Sequence, residues 1–226
     1  MNPDLILKPD WGDDLLDING NTSDIIKKVM WAANMPGIDY KVEAFAQYFS
    51  ADSPEAQVKK LKELWRFCRS EIRYKEDPWG KQFIKAPARS YWDWRKKGKG
   101  TDCKSKTIFN YAVCRAIGIK CSFEFVSFFN AWDWVDGKWM KTDKRVTHVF
   151  PVAYVPGYGE VVLDSVHERF NERPPGITRT VRKLPDNWRA SVAGIGQIGS
   201  STGSGGFLKK LAVAAAGLLL VNAIIK

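Results

Sequence analysis

The chain has 226 residues, 45% hydrophobic and 13% aromatic with ten tryptophans, which is ample for a packed core and excludes a wholly disordered chain. A formal charge of +10, from 35 basic and 25 acidic residues, favours anionic surroundings (nucleic acid, acidic protein surfaces or lipid headgroups) without naming one, and a solvated basic surface is the simpler reading because the charge is spread widely. The four cysteines at 68, 103, 114 and 121 form no CxxC and the two histidines sit near none of them, which excludes zinc-finger spacing and a disulfide framework and suits an intracellular reducing compartment.

The acidic start MNPDLILKPDWGDD carries no apolar run and does not read as a secretory signal. Residues 1–52 read as an irregular and short-helical region. Pro3, Pro9, Gly12 and Asn19-Gly20-Asn21 are turn signals. Ser23-Asp24 then caps a short helix through Ile25, Ile26, Val29 and Met30, stopped by Pro36-Gly37, and a second covers Tyr40–Tyr48.

Residues 53–190 are expected to form the main domain. Ser53-Pro54-Glu55 is a helix start, and Val58, Leu61, Leu64, Trp65, Cys68 and Ile72 mark one apolar face up to about Tyr74. Residues 75–101, rich in Pro, Gly and Trp, read as a long site-shaping loop. Thr101 or Asp102 caps the next helix, Cys103 to about Ile117, closed by Gly118. The period then becomes alternating, with strands at 121–129, 138–143, 146–155 and 160–166 and turns at Asp136-Gly137 and Pro156-Gly157. A helical half whose Cys103 helix packs on an antiparallel sheet is an α+β arrangement.

A nucleophilic thiol needs a lowered pKa, a base, and a group that holds the base. Cys103 is predicted at a helix N-terminus, where unpaired N–H groups and the helix dipole favour a thiolate, with Lys104 and Lys106 adding charge. Cys68 falls on an apolar helix face as a core residue, Cys114 lies mid-helix and Cys121 starts a strand. His148, within a predicted strand, is the candidate base, because His167 follows a strand and reads as a solvated surface residue. Asp164 sits 16 residues later in an otherwise apolar strand, and an unpaired buried acid is costly, so it is expected to pair with His148.

Three segments carry a family resemblance. Gly100-Thr101-Asp102-Cys103-Lys104-Ser105-Lys106 runs into a helix ending Cys114-Arg115-Ala116-Ile117-Gly118-Ile119. Thr147-His148-Val149 is followed by Ala153-Tyr154-Val155-Pro156-Gly157-Tyr158-Gly159 and by Val162-Leu163-Asp164. Ile72-Arg73-Tyr74 and Asp77-Pro78-Trp79-Gly80 stand upstream. Together, over roughly 55–168, these segments resemble the transglutaminase-like superfamily of papain-type cysteine protease fold, in versions found in bacteriophage and prophage proteins.

The resemblance implies Cys103 as nucleophile, His148 as base and Asp164 as the orienting acid. Its oxyanion donors would be the Cys103 N–H and one of Gln82, Trp79 or Trp92. The sequence departs from the family pattern at Glu160 and Phe150, where relatives often carry Trp. The implied activity is cofactor-free and metal-free acyl transfer on a protein or peptide substrate, with water (peptidase, deamidase) or an amine (crosslinking) as acceptor.

Residues 191–206 read as a Gly/Ser-rich linker and 207–226 as an apolar C-terminal helix. Leu211–Ile225 is apolar but for Asn222 and bracketed by lysines, shorter than the roughly 20 residues that span a bilayer. A membrane anchor and a helix docked in a protein partner both fit. Two functions from different classes therefore stand: a tethered cysteine hydrolase or acyltransferase, and a phage virion or assembly protein using the fold as a non-catalytic scaffold. Nucleic-acid binding has only the charge in its favour.

Overall fold

The computed structural model describes residues 2–8, 16–17, 22–35, 40–78, 82–128, 131–135, 137–142 and 145–186. The Asn19–Asn21 and Pro36-Gly37 signals, Trp79, the linker expected at 191–206 and the apolar segment expected at 207–226 lie outside them.

Helices dominate the first half and an antiparallel sheet the second, so the architecture is α+β. The helices are α1 (Pro3–Ile6), α2 (Thr22–Asn34), α3 (Tyr40–Ala46), α4 (Pro54–Glu71), α5 (Pro87–Lys97) and α6 (Cys103–Ala116), with a 3-10 turn at Gln47–Phe49. The short strands β1 (Leu16–Asp17) and β2 (Phe83–Ile84) pair with each other. Next come β3 (Lys120–Phe128), the hairpin β4 (Ala131–Val135) and β5 (Lys138–Thr142), then β6 (His148–Val155), β7 (Gly159–Val162) and β8 (Ile177–Lys183). The main sheet is antiparallel, in the order β7-β6-β3-β8.

Local signals explain the helix starts. The Ser53 hydroxyl accepts from Ala56 N (3.2 Å) with Pro54 in the first turn, and α4 buries Leu61, Leu64, Trp65 and Cys68 on one face. It stops at Glu71, short of Tyr74, because Arg73–Lys75 is extended against Thr101 through two 2.9 Å backbone bonds. Gly100 permits this approach, since a Cβ there would lie 2.7 Å from Arg73 O.

Helix α6 is the centre of the core, packed on β6 and β3 and against α2 through α5. Side chains Cys103 through Cys114 are all buried, and five of them (Lys104, Ser105, Lys106, Thr107, Asn110) are polar. A helix buried on every side must give such groups partners, and those partners tie it to the site. Gly118, in the left-handed region (φ 77°), closes α6 while Ile119 N–H bonds Cys114 O (2.8 Å). Leu7, Val29 and Phe45 from residues 1–52 share one core with Phe109, Phe123 and Phe125. Each fully buried side chain of this size contributes about 1.5–3 kcal/mol.

Several sequence expectations are corrected. Residues 75–101 are not one loop, because β2 and α5 occupy part of the stretch, and α5 starts on Pro87 and ends on left-handed Gly98. Strands β4 and β8 were not anticipated. β8 is an edge strand rich in exposed charge and lacks the apolar alternation that marks a half-buried strand. The strand expected at 160–166 ends at Val162, so Asp164 stands just past it, and His148 is the first residue of β6.

Candidate active site

Asp102 caps α6 by accepting Ser105 N–H on Oδ1 (3.2 Å), which places Cys103 at the first helical position. Cys103 is 8% exposed and lines a cleft of about 320 Å³ with His148, Gln82, Glu76, Arg145 and Ile25 among its walls. The backbone of Val149 and Lys104 hydrogen-bonds the thiol, and no bond joins its sulfur to the His148 ring among the described residues. Burial pushes this thiol up to about 12, overriding the backbone bonds, and the Asp164 and Asp77 carboxylates add to the rise. The thiol is therefore protonated near neutrality and needs a base to become a nucleophile.

The candidate base is one residue from Val149. His148 Nε2 lies 2.7 Å from Asp164 Oδ2, with the two side chains 11% and 2% exposed. A carboxylate oxygen in this position accepts from Nε2, which leaves Nδ1 as the ring nitrogen for a thiol. Asp164 Oδ1 accepts from Val166 N (3.0 Å) and His167 N (3.3 Å), so both carboxylate oxygens are engaged. His167, expected at the surface, is partly buried and shares a neighbouring cleft of about 390 Å³ with His148, Asp164, Tyr74 and Phe128.

The Asp164 loop is fastened from two helices. Trp65 Nε1 donates to Asp164 O (2.7 Å), and Arg69 donates to Val166 O (3.0 Å) and His167 O (2.8 Å), all from α4. Asn110 Nδ2, on α6, donates to Leu163 O (3.1 Å) and Ser165 Oγ (3.3 Å). Thr107 Oγ1, on the same helix, donates to Val149 O (2.8 Å). The helix that carries Cys103 thus holds both the strand of His148 and the loop of Asp164.

The structure brings Cys103, His148, Asp164 and Gln82 together. Trp92 sits on α5 with the Lys96 ammonium 5.0 Å from its ring centre and is not among the residues lining the Cys103 cleft. The two lysines expected to favour a Cys103 thiolate do otherwise. Lys106 Nζ turns away to Cys68 O (2.6 Å) and Ile72 O, and Lys104 meets the carboxylates of Asp77 and Asp102. Sequence reasoning missed these ties, and those of Trp65 and Asn110, because burial of a polar residue depends on elements far away in the chain. Among the described residues no group of three or more His, Cys, Asp or Glu side chains is placed to hold a metal ion.

Comparison with protein-family models, with curated proteins and with solved structures returned no match.

Proposed function

We propose that the chain is a cysteine hydrolase or acyltransferase of transglutaminase-like, papain-type fold that acts on amide bonds of proteins or peptides. The observation that carries the reading is the part-buried 2.7 Å bond from His148 Nε2 to Asp164 Oδ2, with His148 lining the cleft that holds Cys103. In the proposed mechanism His148 Nδ1 removes the thiol proton, and the sulfur attacks the amide carbonyl. The Cys103 N–H and Gln82 Nε2 hold the oxyanion. The His148 proton passes to the leaving amine, leaving a thioester that water or a second amine resolves. Asp164 holds the ring and steadies the imidazolium. The bacteriophage-type resemblance, and tethering of residues 207–226 to a membrane or a protein, belong to the same proposal. Among the described residues no helix is long and apolar enough to cross a membrane.

The non-catalytic scaffold is the competing reading, and the raised Cys103 thiol is the observation in its favour. Iodoacetamide labelling followed by peptide mapping, together with burst acylation by p-nitrophenyl acetate, separates the two. The enzyme reading expects Cys103 to label faster than Cys68, Cys114 and Cys121, and Cys103→Ala to abolish the burst. Equal labelling of all four thiols, with no burst, leaves the scaffold.

A further inference from the structure

Lys104 follows the candidate nucleophile directly, yet its side chain is 6% exposed. Its ammonium has three hydrogens and meets three acceptors: Gln82 Oε1 at 2.7 Å, Asp77 Oδ2 at 3.3 Å, and the Asp102 carboxylate. A buried ammonium is costly unless paired and hydrogen-bonded, and here it has both. Both carboxylates also have a second attachment. Asp77 Oδ2 accepts Phe83 N (2.7 Å), and Asp102 Oδ1 caps α6 through Ser105 N. Ser105 Oγ in turn accepts Lys85 N (3.0 Å). The strand segment beginning at Gln82 is thereby fastened to the first turn of α6.

The choice of atom on Gln82 matters most. An amide side chain can present oxygen or nitrogen, and a cation tolerates only the oxygen. With Oε1 held by Lys104, the NH2 is the end left for the cleft that Gln82 and Cys103 share. We propose that Lys104 is a positioning residue that fixes the Gln82 amide with its N–H2 toward the acyl oxygen of a substrate on Cys103. This inference rests on the acyl-transfer reading and explains why a lysine is buried beside the nucleophile without activating it.

The test compares two reactions of Cys103 in the full chain. Acylation by p-nitrophenyl acetate passes through an oxyanion, whereas alkylation by iodoacetamide does not. Gln82→Glu keeps an oxygen for Lys104 but removes the N–H2, and is expected to lower acylation about 100-fold, as loss of one oxyanion donor does. Lys104→Met is expected to lower acylation about tenfold more than alkylation, and to add nothing in a Gln82→Ala background. The side-chain 15N–H2 signals of Gln82 should also shift and sharpen toward free rotation in Lys104→Met. Equal losses in both reactions, additivity with Gln82→Ala, or an unchanged Gln82 signal would each overturn the proposal. Should Lys104→Met unfold, Gln82→Glu with wild-type acylation overturns it instead. If Cys103 is inert to both reagents the acyl-transfer reading fails, while the amide signal still decides whether Lys104 orients Gln82.

Discussion

Cys68 and Cys103 both lie near the Asp164 loop, and they differ in the opposite sense from what charge would suggest. Cys68 has the cation and the donor: Lys106 is nearby, and Ser165 Oγ lies 3.2 Å from its sulfur. Cys103 has backbone donors from Val149 and Lys104 in place of a lysine ammonium and a hydroxyl, and both thiols are raised chiefly by burial. What separates them is access and a base. Cys68 is 0% exposed, enclosed by α4, α6 and the Asp164 loop, whereas Cys103 opens on a cleft whose wall includes a carboxylate-held imidazole. A neighbouring lysine does not make a thiol reactive when that lysine is already spent on carbonyls or carboxylates.

The comparison breaks most sharply at His148. Without the imidazole, Cys103 has only its own ionisation, so His148→Ala should slow its alkylation near neutrality by roughly 10²–10⁴-fold. The sign follows from the raised thiol. Thiolate is the reactive form and its fraction grows with pH up to a pKa of about 12, so the variant's rate should climb about tenfold per pH unit between 7 and 10. A wild-type rate that already shows this slope would make His148 irrelevant to the thiol. Stopped-flow alkylation across pH reads both.

Smaller effects should fall on stability. Cys68→Ala empties a small space under the Asp164 loop and is expected to cost about 1–2 kcal/mol in urea unfolding, with Cys103 labelling unchanged. Coincident loss of labelling would mean that the two thiols form one unit. Trp65→Phe removes the donor to Asp164 O and should cost about 1 kcal/mol. It should also slow Cys103 alkylation severalfold through a loosened His148–Asp164 pair. An unchanged rate would assign the Trp65 bond to stability alone.

Local signals in the chain were legible because their physics is local. Asp102 ahead of Cys103, Ser53-Pro54 ahead of α4, and Gly118 after α6 act within a few residues, and they read correctly. The pairing of Asp164 with His148 was likewise readable, because an acid in an apolar stretch requires a partner, although Asp164 stands just past the end of β7. Helix α5 was not legible, because Pro and Gly signal a loop as readily as the first turn and the end of a helix, which is what Pro87 and Gly98 mark here. The edge strand β8 was missed because Glu124, buried on β3, engages Arg173 and Arg182 and so holds a charged segment to the sheet.

By itself the sequence determined the α+β order of elements, the helix start at Cys103 and the identity of the three residues that could form a triad. Tertiary structure decided which charges serve which thiol. The ammonium of Lys104 went to Gln82 and two carboxylates, and that of Lys106 to the end of α4. The reason is that a buried charge must be satisfied by whatever acceptors the packing brings within about 3 Å, and those acceptors come from residues far apart in the chain.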